Sequence, residues 1–96
     1  MATTGHAVVD FGSKPTDTAS VVVTGQASIL SNSFCEAWID PTQGATADHS
    51  VDEHIMASAV VGVACSAIVA GTGFTINVTA YSASLTGKFN VAWVWT

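Results

Sequence analysis

Leu85-Thr-Gly-Lys-Phe-Asn-Val-Ala-Trp-Val-Trp95 decides how this chain folds. Leu85, Gly87, Phe89, Val91, Trp93 and Trp95 share one face, and Thr86, Lys88, Asn90, Ala92 and Val94 share the other, which is the period of two of a pleated strand. Two tryptophans on one face so near the end imply docking, because an untethered terminus frays. The pattern leaves two uses open for them: sealing a sandwich from within, or lining a seam between subunits.

Upstream, Phe74, Ile76, Val78 and Ala80 alternate with Thr75, Asn77, Thr79 and Tyr81, giving a strand with one core face and one polar face. Short β-branched runs punctuated by Gly, Pro, Asp and Asn fill the remainder. The predicted strands are His6 to Phe11, Thr18 to Gly25, Ala27 to Leu30, Phe34 to Asp40, Glu53 to Val69, Gly73 to Tyr81 and Gly87 to Trp95. Glu53 to Val69 is long enough to break in two, with Ala64-Cys-Ser66 as the expected break, and Ser82 to Thr86 suits a hairpin link. The reading is all-β: an antiparallel β-sandwich or small jelly roll of about seven strands, without a substantial helix, in one domain over residues 1–96.

Composition excludes several functions. Lys14 and Lys88 are the only basic residues apart from histidine, and the net charge is -5. Binding nucleic acid or an anionic membrane needs several clustered cations, so neither is expected. Ile55 to Gly71 is apolar, but it contains Ser58 and Ser66 and falls short of the ~20 residues a spanning helix needs. With no basic, apolar leader at the N-terminus, the expectation is synthesis in the cytoplasm. In that setting Cys35 and Cys65 are read as free thiols rather than a disulfide. Charged residues make up 9% against about 25% in an ordinary domain, which suits an exterior partly covered by partners.

The residues suited to chemistry are few. Asp48, His49, Asp52, Glu53 and His54 lie together, with His49, Asp52 and His54 as candidate metal ligands. His-x4-His matches no standard zinc spacing, so a loop-organising role is preferred and no metal or cofactor is assigned. Ser50, His49 and Asp52 supply the residue types of a hydrolase, but neighbours in one loop rarely form a triad, and a Gly-x-Ser-x-Gly elbow is absent. No catalytic residue is expected. Pro41 to Asp52 is a long polar connection, read as a projecting loop or a partner contact. Trp38, beside Glu36 and Phe34, and Tyr81 form a candidate ligand surface, although the mid-strand position makes a core tryptophan the preferred reading of Trp38.

The His6-Ala-Val-Val-Asp-Phe-Gly12 strand, the Val-Thr-Gly-Gln26 turn, Glu36-Ala-Trp-Ile39, Asp52-Glu-His54, Gly71-Thr-Gly-Phe-Thr-Ile76 and the terminal Gly87 to Trp95 together resemble small structural proteins of tailed bacteriophages. The resemblance spans nearly the whole chain. It implies a non-enzymatic virion protein: an oligomeric, typically trimeric, capsid decoration protein on the major capsid lattice. The alternative is a receptor- or carbohydrate-binding knob on a fibre stem. The residues themselves suggest the subunit or partner contacts: Phe89, Val91, Trp93 and Trp95 on one apolar strand face, and Glu53 and His54 as hydrogen-bonding groups toward a neighbouring loop or subunit.

Overall fold

The computed structural model describes residues 2–81 and 83–96. Six strands are formed: β1 (Thr3–Asp10), β2 (Thr18–Val23), β3 (Cys35–Ile39), β4 (Val61–Val69), β5 (Gly73–Ala80) and β6 (Lys88–Trp95). They make two three-stranded antiparallel sheets, ordered β1-β6-β3 and β2-β5-β4. The sheets face one another with a helix, α1 (Val51–Val60), ahead of β4. The whole measures 34 × 22 × 20 Å. Among the described residues, no helix is long and apolar enough to cross a membrane.

The inner faces follow the alternation legible in the sequence. Phe89, Val91, Trp93 and Trp95 of β6 meet Phe74, Ile76 and Val78 of β5, and all are buried. The Phe74 and Trp93 rings pack edge to face with centroids 5.4 Å apart, an arrangement favoured by the aromatic quadrupole. Ile29, 1% exposed, closes one end of this core. The two tryptophans thus seal one sandwich from within.

Four expectations are corrected. The described residues form six strands, not seven, in two three-stranded layers that make the expected antiparallel sandwich. Ala27 to Leu30 is a turn, because its backbone bonds cross the end of the sandwich, from Gln26 N–H to Thr72 and from Gly71 N–H to Ile29, rather than forming a ladder. Glu53 to Val69 is α1 followed by β4, so a substantial helix exists and the break falls at Val60/Val61. Ser50 and Glu53 start that helix with a reciprocal capping box, each side chain bonding the other's backbone N–H. The box was legible, but Ile55, Met56 and Ala59 face solvent while His54 and Ala57 face the core, so no clean apolar stripe marks the helix. The place expected to break, Ala64 to Ser66, stays in the ladder, and a bulge follows between Ser66 and Val69 with Ala67 at φ 53°. Finally, β5 and β6 belong to different sheets, so their link crosses between layers and is no hairpin; Ser82 within that link lies outside the described residues.

Gly5 sits directly opposite Trp93 in the β1–β6 ladder, and a Cβ at Gly5 would overlap the indole ring. The bulk of Trp93 is therefore accommodated by the missing side chain across the ladder. Gly5→Ala is expected to destabilise the fold by about 2 kcal/mol through overpacking, measured as a lower urea midpoint with an unchanged m-value.

Candidate functional site

The cluster from Asp40 to His54 occupies a gap in the first sheet. β6 runs from Lys88, whereas its neighbour β3 ends at Ile39, and Asp40 leads into a turn of 3-10 helix over Pro41–Gln43. Asp40 N–H makes the last regular bond, to the Asn90 carbonyl at 3.0 Å. Beyond it, the early part of β6 has donors and acceptors on this side but no strand to meet them, and each left unpaired would cost about 1–3 kcal/mol.

Side chains of the loop and of α1 supply the partners. His54 Nε2 accepts the Asn90 N–H at 2.9 Å, and its Nδ1 donates to the Ser50 carbonyl at 2.8 Å. The donor and acceptor around the ring identify a neutral imidazole carrying its proton on Nδ1. Asp48 Oδ2 accepts the Lys88 N–H at 2.9 Å, and Thr46 Oγ1 donates to the Lys88 carbonyl at 2.6 Å. His49 Nε2 donates to the Thr86 carbonyl, while the ring stacks on Phe89 at 3.9 Å between centroids. The Asn90 amide returns a bond to the Gly44 carbonyl at 2.9 Å. Gly87 makes this close approach possible: its φ is 76°, and a Cβ there would lie 2.7 Å from Asp48 Cβ.

This arrangement decides the fate of the candidate ligands. Both nitrogens of His54 are bonded inside a residue that is 0% exposed. Both nitrogens of His49 face oxygens, Thr86 O on one side and Glu53 Oε2, at 3.4 Å, on the other. Asp52 lies exposed in the first turn of α1, where a carboxylate complements the helix dipole. His49, Asp52 and His54 therefore do not converge, and no group of three metal-ligating side chains occurs among the described residues. Ser50 Oγ is engaged as the helix cap at 3.2 Å from Glu53 N, with His49 turned away, so the three hydrolase residue types do not assemble either.

Two carboxylates are shifted by this architecture. Hydrogen bonds from the Ser50 backbone N–H and from His49 hold the exposed Glu53 carboxyl below its usual range. Asp40, 4% exposed, is likewise held low, first by the Thr42 hydroxyl and then by the Thr42 backbone N–H and the His6 imidazole 3.6 Å away.

The other expected site residues are dispersed. Phe89, Val91, Trp93, Trp95 and His54 are all within the protein's own core, so they cannot face a subunit as expected; of that group only Glu53 is exposed. The Pro41 to Asp52 segment lies along β6 rather than projecting from it. Trp38, 44% exposed, stands on the outer face of the first sheet, because Ala37 and Ile39 point inward. Tyr81, 60% exposed, lies over Gly62 on the outer face of the second sheet. The two aromatics are on opposite faces and share no platform. Cys35 and Cys65 are free and half-buried where β3 meets β4; burial raises both thiols, that of Cys65 to about 12, which leaves almost no thiolate for nucleophilic or metal chemistry at neutral pH.

His54→Ala should cost about 3 kcal/mol in a urea titration, since it leaves a cavity and strands the Asn90 N–H. Asp40 provides a pH test. Its folded value lies below the ordinary 3.8, so its contribution is complete above that pH and is lost as the pH falls through the folded value. Asp40→Asn keeps the turn-capping oxygen; its stability should fall less steeply than wild type below about pH 4, measured by thermal melts across the acid range.

The chain matches no protein-family model, no curated protein and no solved structure.

Proposed function

We propose that this protein is a non-enzymatic structural subunit of a tailed-bacteriophage virion, a homo-oligomeric, typically trimeric, decoration protein that binds and stabilises the major capsid lattice. The observation that carries the reading is the surface. Phe34 is 81% exposed, Met56 72%, Val22 66% and Leu30 61%, on a chain with only two lysines and no arginine. Singly exposed apolar side chains are ordinary, but Val22, Leu30 and Phe34 lie toward one end of the sandwich, and a grouped apolar patch is what subunits of an assembly cover. The fate of the titratable cluster supports the same reading, since its imidazoles and serine hold backbone in place. The sequence resemblance to small phage structural proteins supplies the class of assembly.

A receptor- or carbohydrate-binding knob on a fibre is the second reading. It is favoured by Trp38, which stands half-open beside Glu36 on an outer sheet face, where a sugar ring stacks well.

Cryo-electron microscopy and quantitative mass spectrometry of purified particles separate the two. Decoration predicts stoichiometric copies on the outer surface of the shell at lattice symmetry axes. Density confined to a fibre tip, together with lost host adsorption in Trp38→Ala, would establish the knob, and absence from purified particles would remove both.

A further inference from the structure

The two ends of the sandwich differ in character. One is charged: six of the seven carboxylates and both lysines fall in residues 10–17, 40–53 and 88, which gather where α1 and the start of β6 lie. The other end is built from residues 3–4, 22–35, 66–74 and 94–96, and none of their side chains is that of Asp, Glu, Lys, Arg or His. Glu36, one residue into β3, is the nearest charged side chain. This uncharged end carries Val22, Leu30, Phe34 and Val69, which are 66%, 61%, 81% and 56% exposed. Leu30 and Phe34 sit on one turn, closed by a bond from Ser33 N–H to the Leu30 carbonyl at 3.0 Å. Val69 ends β4 beside the adjoining turn, whose Gly71 N–H bonds the Ile29 carbonyl at 2.9 Å.

We propose that this uncharged end is the self-association surface, and that its occupant is a second copy of this chain. The proposal deepens the assembly reading above and rests on its homo-oligomer. Copies meet with their uncharged ends converging on the symmetry axis and their acidic ends pointing outward. Electrostatics selects this arrangement. Each copy carries a net charge of -5, so contacts through the other end are opposed by like charge, whereas end-to-end packing separates the acidic ends by far more than the ~8 Å screening length. Each copy is 34 Å long.

Area agrees. The four side chains leave on the order of 400 Å² of apolar surface open, about half of the ~800 Å² that each partner gives to a stable interface. Exposed polar but uncharged neighbours, Thr24, Ser31, Asn32 and Thr72, supply a hydrogen-bonding rim. The large exposed apolar residues of α1, Val51, Ile55 and Met56, adjoin Asp52 and Glu53, and that acidic edge leaves them unsuited to pairing copies.

Sedimentation velocity over a concentration series tests the proposal, with circular dichroism to confirm folding. Wild type is expected to be oligomeric at ~50 µM with an association constant that changes little when salt rises from ~0.05 to ~0.5 M, because the acidic ends already lie beyond the screening length and the contact is apolar, whereas contact through the acidic ends would tighten steeply with salt. Leu30→Asp and Phe34→Asp alter side chains that the monomer core does not use, so they should fold normally and weaken association at least ~30-fold. Met56→Asp should leave association unchanged. A strictly monomeric wild type, unchanged association in both end variants, or dissociation caused by Met56→Asp instead would overturn the proposal. An oligomer that behaves as expected while the protein is missing from virions would refute the virion reading and leave this surface standing.

Discussion

The structure depends on a mismatch in strand length. β6 is the central strand of its sheet and carries most of the core aromatics, yet β3 covers only its second half. The first half must satisfy its backbone against something, because a central strand buried with open donors and acceptors would not stay folded. The chain meets this with side chains: His54, Asp48, Thr46 and His49 take the positions that a neighbouring strand would have filled. The capping box at Ser50 and Glu53 fixes the start of α1 so that His54 reaches Asn90, and Gly87 permits Asp48 to lie against the strand.

That solution bears directly on function. Imidazole, carboxylate and hydroxyl together suggest chemistry when read along a sequence, but here His54, Asp48, Thr46 and Ser50 direct polar side-chain atoms to backbone groups, and His49 directs one ring nitrogen to backbone and the other to Glu53. What remains open is surface: large exposed apolar side chains, one end rich in charged side chains and one end without them.

Much of the fold was legible in the residues. The alternation of Phe74 to Tyr81 and of Phe89 to Trp95 placed both central strands and their inward faces, since period two has only one interpretation when one face is apolar. α1 was not legible in the same way. Its buried face is a histidine and an alanine, its outward face carries Ile55 and Met56, and apolar residues on all sides read equally well as a buried strand. The Ser50 and Glu53 spacing was the signal that could have resolved this. For the His49 and His54 cluster, spacing alone indicated only that a zinc site was poorly formed; what the residues do instead could not be inferred, because their partners, Thr86, Lys88 and Asn90, lie more than thirty residues away in the chain.

The sequence by itself determined the all-β character, the two core strands, the near absence of cations and the lack of charge along whole stretches of chain, because these follow from local periodicity and composition. Only the tertiary structure decided that β5 and β6 lie in opposite sheets, that Trp93 and Trp95 face inward rather than toward a subunit, and that the uncharged stretches gather at one end. Each of these depends on which strands become neighbours, and that is set by non-local pairing and by the length of β3 relative to β6, neither of which any single segment encodes.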